Sequence, residues 1–215
     1  MELNTVIRPV RVAPVAFAAV LAAMLTGCSG GGTPTADKCQ TVSVPMADIP
    51  TRTDQEPKMR IPLPPGWERT TNLDNESIRF AIRNPALKVE GFIPNAVVTL
   101  QKVGTDVGKP AKILEAQNDQ QVKRIKATDL STTATEVCGI PGQLTSYTAP
   151  EMKVSPNPKV PVVPKHKATS LGVVWRASDA NYIATLTVQS MNQDEKVFAQ
   201  DSQSILKGFQ LLPPK

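Results

Sequence analysis

Apolar and polar residues recur along this chain with the periods of strands and helices. Ile78, Phe80 and Ile82 alternate with Arg79, Ala81 and Arg83 until Asn84-Pro85 interrupts them. A period of two predicts a strand with one apolar face and one mostly basic face. Ala96 to Lys102, rich in β-branched residues, predicts a second strand. Thr132–Cys138 and Gln143–Thr148 flank Gly139-Ile140-Pro141-Gly142, the pattern of a hairpin. Leu171–Arg176 and Tyr182–Ser190 flank Ser178-Asp179-Ala180-Asn181 and predict a firmer one. In its second arm Tyr182, Ala184, Leu186 and Val188 alternate with Ile183, Thr185, Thr187 and Gln189. Ile61-Pro62-Leu63-Pro64-Pro65-Gly66-Trp67 carries too much proline for a central strand. It predicts an extended entry strand or edge that turns at Pro65-Gly66 and plants Trp67.

Two segments have helical character. Pro110 to Lys126 is rich in Ala, Lys, Leu, Glu and Gln, with Pro110 suited to a first turn. Ile113, Leu114, Val122 and Ile125 fall on one side and form a modest apolar stripe. Asp194 to Gly208 predicts the second helix, with Phe198, Ile205 and Phe209 near one face and two acids at the positive end. Pro150 to Pro164 holds five prolines and predicts a long exposed loop. Antiparallel hairpins with two separated helices give an α+β layer architecture, a sheet on one side and helices on the other. No repeat or boundary divides the chain after about residue 50, as expected for a chain of 215 residues.

The N-terminus follows a different logic. Arg8 and Arg11 precede an uncharged stretch from Val12 to Leu25, shorter than the ~20 residues that span a bilayer comfortably. It runs into Leu25-Thr26-Gly27-Cys28 and then Ser29-Gly30-Gly31-Gly32. Charge, apolar run, small pair and Cys in that order resemble the bacterial lipobox. The resemblance implies cleavage before Cys28 and a diacylglyceryl group on its thiol. Residues 1–27 are then a lipoprotein signal peptide, 28–57 a lipidated flexible tether, and 58–215 one domain. The alternatives are an ordinary secretory signal with an incidental Cys, or an uncleaved anchor helix.

With Cys28 lipidated, Cys39 and Cys138 remain, an even pair in an oxidising compartment. A bridge between them and two free buried thiols are the two readings. Three Cys and one His leave too few ligands for most zinc sites. No cofactor or metal is expected.

Candidate chemistry is sparse. His166 lies between Lys165 and Lys167 in a proline-rich stretch, which predicts an exposed loop histidine, and no Gly-x-Ser-x-Gly turn accompanies it. Gly104-Thr105-Asp106-Val107-Gly108-Lys109 lacks the Walker spacing, and Pro110 stands where a hydroxyl residue is needed. Asp37, Asp48, Asp54, Glu56, Glu68, Asp74 and Glu76 read as solvated charges in turns and loops. The net charge of +5 is scattered and aromatics are 4% of residues, so no nucleic-acid partner is expected. Binding is what remains. Trp67 and Trp175 are the largest apolar groups available, either as core residues or as the lining of a groove between sheet and helices. Gly172 would let something approach the strand of Trp175, although core packing or a bulge accounts for it equally.

The lipobox, Pro64-Pro65-Gly66-Trp67, Gly139-Ile140-Pro141, the strand Tyr182–Ser190 and the terminal Ile205-Leu206-Lys207-Gly208-Phe209-Gln210 together resemble the mycobacterial LpqN/LpqT lipoprotein family. The similarity covers roughly residues 58–212. It implies a PsbP-like fold, an α/β/α-type sandwich around an antiparallel sheet. It further implies a non-enzymatic protein of the cell envelope, anchored by lipid on the extracytoplasmic face of the membrane. Some members are linked to MmpL-type lipid export and to binding of acylated trehalose, so a lipid, a glycolipid or an envelope transporter is the partner implied. The Cys39/Cys138 pair and the loop from Pro150 to Pro164 depart from the better-known members. A host-facing surface antigen and, behind it, an envelope hydrolase with dispersed Ser, Thr, Asp and Glu are the competing readings.

Overall fold

In the computed structural model the residues described are 35–153 and 162–214. The Cys28 reading and the middle of the Pro150–Pro164 loop lie outside them. At the base of that loop, Met152 and Val163 exchange two backbone hydrogen bonds of 2.9 Å.

The strands are β1 (Met46–Ile49), β2 (Lys58–Pro62), β3 (Glu68–Arg69), β4 (Ile78–Arg83), β5 (Asn95–Val103), β6 (Thr128–Val137), β7 (Ile140–Ala149), β8 (His166–Arg176), β9 (Asn181–Ser190) and β10 (Gln210–Leu212). The helices are α1 (Pro110–Ile125), between β5 and β6, and α2 (Lys196–Gly208), between β9 and β10. Seven strands form one antiparallel sheet in the order β3-β4-β5-β9-β8-β7-β6, and three form a second, β1-β2-β10. The class is α+β, as the alternation of hairpins and helices predicts.

Alternation along β8 and β9 decides which helix covers which face. Leu171, Val173, Tyr182, Ala184, Leu186 and Val188 are buried on one side, in a core shared with Phe198 and Ile205 of α2 and with Met59 and Ile61 of β2. Burial of each leucine, valine, isoleucine, methionine or phenylalanine among them contributes about 1.5–3 kcal/mol. On the opposite side Val174 and Ile183 meet Ile113 and Leu114 of α1. The large sheet is thus the middle layer between α1 and the pair made by α2 and the small sheet.

Three local readings need correction. The domain starts earlier than Lys58: β1 pairs with β2 from Met46↔Pro62 to Ile49↔Met59, inside the stretch expected to be tether. Four residues between Pro45 and Pro50 are too few for a periodic signal, yet Ile49 is buried in the core. Of the entry strand and the edge expected before Trp67 the structure has a strand but not an edge, since Lys58–Pro62 lies between β1 and β10 and its proline falls only at the last position. The β6–β7 turn is also shorter than expected. Cys138 (φ 50°) and Gly139 (φ 83°) alone make it, and Val137 pairs with Ile140. Two consecutive positive φ angles match the twist of flanking strands, so a two-residue turn suffices. Cys138 is joined to Cys39 by a disulfide with the Cα atoms 4.0 Å apart.

His166 is not a loop residue. It opens β8 and is 5% exposed, stacked on Phe92 with ring centroids 4.8 Å apart. Its ring nitrogens lie 2.7 Å from the Pro164 carbonyl oxygen and 3.0 Å from Gln189 Oε1. Strand alternation turns it inward and leaves its neighbour Lys167 outside.

Candidate binding site

Both tryptophans pack with the core. Trp67 is 5% exposed, its ring tilted against Phe198 at 6.4 Å, and its indole N–H donates to Asp201 Oδ2 at 2.8 Å. Trp175 is half-buried against the same core, and its buried indole N–H has no hydrogen-bond partner among the described residues. A buried indole without a hydrogen bond is anchored by packing alone.

The predicted groove between sheet and helices is filled where α1 lies. Cross-strand register lines up Thr187, Ser170, Thr145 and Thr132 on the α1 side of β9, β8, β7 and β6. Ser170 and Thr187 hydroxyls lie 2.9 Å apart, and those of Thr132 and Thr145 lie 3.3 Å apart. The helix meets this row and the next with amides: Thr145 donates to Asn118 Oδ1 at 3.3 Å, and in the adjoining row Gln117 donates to Thr185 and Asn118 to Gln143, each at 2.7 Å. Burial pushes the Tyr147 phenol up, partly offset by its hydrogen bond with Ser170, so it stays a neutral member of this seam. The space left is about 10 Å³, less than one water needs. Val122, expected in the apolar stripe of α1, lies about 80° round the helix from Leu114 and is exposed. Gly172 serves close packing here, because a Cβ would stand 2.9 Å from Leu114 Cδ2. Gly172→Val is expected to push α1 away and lower stability by about 1–3 kcal/mol, read from chemical denaturation.

A cleft of about 460 Å³ lies beside the small sheet. Ile49, Met59 and Leu212 make its apolar floor, and Asp48, Thr51, Thr53, Asp54, Lys58 and Arg60 its polar rim. The connection between β1 and β2 forms one wall and is tied down by charge. Glu56 accepts the Arg52 backbone N–H at 2.8 Å and two guanidinium N–H groups of Arg79 at 2.6 and 3.2 Å. The Arg52 guanidinium donates to the Asn75 and Glu76 carbonyls at 2.5 and 2.9 Å. On the rim Arg60 and Asp48 pair at 2.8 Å.

The cleft gathers Asp48, Asp54 and Glu56, which the sequence reading left dispersed as solvated charges. Two of them already have cationic partners, Arg60 and Arg79. Most of its lining was assigned to the tether. The alternation of buried Met59 and Ile61 with Lys58 and Arg60 was the available signal for β2. Among the described residues, no group of three or more His, Cys, Asp or Glu side chains is arranged to hold a metal. No helix among them is long and apolar enough to cross a membrane.

Residues 34–212 match the family described as "probable lipoprotein LpqN". The chain belongs to the LpqN family. Among solved structures it is similar to LpqN of Mycobacterium tuberculosis, a protein involved in cell envelope biogenesis. Identity is 16% and the TM-score 0.60, with 86% of this chain and all of the other covered. The likeness extends to the fold. A weaker one joins it to the Saccharomyces cerevisiae Ran-binding protein Mog1p, at 12% identity and TM-score 0.43 over 80% of this chain and 97% of that one. No curated protein sequence matches the chain. The LpqN match begins at residue 34, upstream of Cys39 and β1, in keeping with a folded unit that includes both.

Proposed function

We propose that this LpqN-family chain is a non-enzymatic binding or adaptor module of the cell envelope, held to the membrane through Cys28. Its occupant is an amphiphile, either a lipid or glycolipid or an amphipathic segment of an envelope transporter. The cleft of about 460 Å³ carries this reading, because an apolar floor under a charged and hydroxyl rim suits a molecule with one dry and one wet side. The envelope role of the M. tuberculosis relative supports the compartment. The lipobox supports the anchor: two acyl chains at about 0.8 kcal/mol per buried CH₂ hold a protein durably where one would not.

Thr53→Trp tests it. Thr53 is exposed on the rim, so an indole there would fill the cleft without disturbing the core. Isolated from its native membrane, the parent chain is expected to retain an extractable lipid or a crosslinked partner, and T53W to lose at least about tenfold of that occupancy. Mass spectrometry of the same material reports the acyl group on Cys28. Absence of both a retained lipid and a partner in intact cells would overturn the reading.

A further inference from the structure

The two edges of the large sheet are built differently. At one, β3 is two residues long, β4 beside it has a register break between Ile78 and Phe80, and Arg83–Glu68 and Arg69–Asp74 ion pairs surround it. Short strands, bulges and charges are the usual means of preventing edge-to-edge pairing. At the other, β6 runs for ten residues and is exposed from Thr128 to Ala134. Its only irregularity lies at the start, where the register breaks between Thr128 and Ser131 and Asp129 has φ 56°. From Ser131 to Val137 the ladder to β7 is unbroken. That stretch, Ser-Thr-Thr-Ala-Thr-Glu-Val, contains no proline, no lysine and a single charge. Alternate backbone N–H and C=O groups of such a strand point away from the sheet and lack a ladder partner among the described residues.

We infer that β6 is a homodimer edge: two copies of this chain pair antiparallel along Ser131–Val137, about a two-fold axis at Ala134. The segment is its own complement in that register. Ala134 faces Ala134, Thr133 faces Thr135, Thr132 faces Glu136 and Ser131 faces Val137, so no like charges oppose each other. Threonine pairs across strands are favourable, whereas like charges directly opposite are not. A shift that set Asp129 against Glu136 would oppose two carboxylates, which helps to fix the register. The alternation is respected too, because residues sharing a sheet face meet partners on the same face. Helix α1 does not obstruct the approach. It packs over β7 and β8, about one and a half strand spacings from the edge. The two copies of α1 would therefore lie about 19 Å apart, farther than one helix diameter. A dimer built mainly on one ladder is weak and concentration-dependent, so equilibrium methods are the ones to use.

Sedimentation equilibrium of the full chain in density-matched detergent is expected to show monomer and dimer exchanging across the micromolar range. Ala134→Lys sets two ammonium groups against each other at the axis and should weaken association about tenfold or more while circular dichroism and unfolding midpoint stay those of the parent. Should A134K fail to fold, Ala134→Cys decides the matter, since its thiols face each other and mild oxidation should give a covalent dimer. Val197→Cys, exposed on α2, which packs on β9 and β2 with β8 and β7 between β9 and the edge, should not. A parent chain that sediments as monomer throughout, a folded A134K that associates unchanged, or an A134C that crosslinks no better than V197C would each overturn the assignment.

Discussion

Arg79→Met is expected to lower the free energy of unfolding by about 3–5 kcal/mol, the usual consequence of removing one partner from a buried ion pair. The Arg79 and Glu56 side chains are 9% and 7% exposed and 2.6 Å apart, so solvent cannot take over the lost interaction. Methionine preserves much of the packing volume and leaves the Glu56 carboxylate buried with, among the described residues, only the Arg52 N–H donating to it. Adding Glu56→Gln removes that stranded charge, and the double variant should recover most of the loss. A pair replaced on both sides is often nearly neutral, whereas a pair broken on one side is not. Urea unfolding of the parent, both single variants and the double variant completes the cycle. If Arg79→Met costs less than about 1 kcal/mol, the figure usual for exposed pairs, the interaction is screened as on a surface. The same cycle bears on the cleft, because Glu56 fixes the connection that forms its wall.

The elements that could be read in the sequence are those whose periodicity survives burial on one face. Tyr182 to Ser190 alternates cleanly because the sheet presents Leu186 and Val188 to α2 and Thr185 and Thr187 to α1. Helix α2 could be read because Phe198 and Ile205 fall on one face, and its structure adds a cap, Glu195 accepting from the Val197 and Phe198 N–H groups. β1 and β10 were not legible. They have four and three residues, and what makes them strands is long-range pairing with β2. Local propensity carries little information about such pairing. His166 misled for a related reason. Its lysine neighbours and prolines describe a loop, while Phe92, remote in sequence, buries it.

The candidate site was less legible than the fold. Its floor comes from three separate elements, Ile49 of β1, Met59 of β2 and Leu212 of β10, so no contiguous motif exists to be found. The tryptophans drew attention through size, and the structure places Trp67 in the core and Trp175 against it. Gly172 reads in the sequence equally as room for an approaching group, as packing or as a bulge, and only the crossing of α1, which supplies Leu114, decides for packing.

Replacing both bridged cysteines, Cys39→Ala with Cys138→Ala, is expected to reduce stability by about 3–5 kcal/mol. The bridge closes a span of 99 residues, so it removes much of the unfolded chain's freedom at one crosslink. Position 138 adds a second effect. Its backbone sits at φ 50°, a conformation that an L side chain holds at a cost of about 1–2 kcal/mol and glycine holds freely. Cys39→Ala with Cys138→Gly should therefore be more stable than the double alanine variant, by about 1 kcal/mol once the greater freedom of unfolded glycine is deducted. Guanidinium unfolding of the three proteins under non-reducing conditions measures both differences. The N-terminal segment has other holds, with Pro45 accepting from the Leu63 N–H at 2.8 Å and Val42 lying against Gly208. A loss well below about 2 kcal/mol, the lower end for a native bridge, would assign the docking of residues 39–45 to those contacts instead. Equal stability of the alanine and glycine variants would show that the turn relaxes out of the left-handed region once the sulfur link is gone.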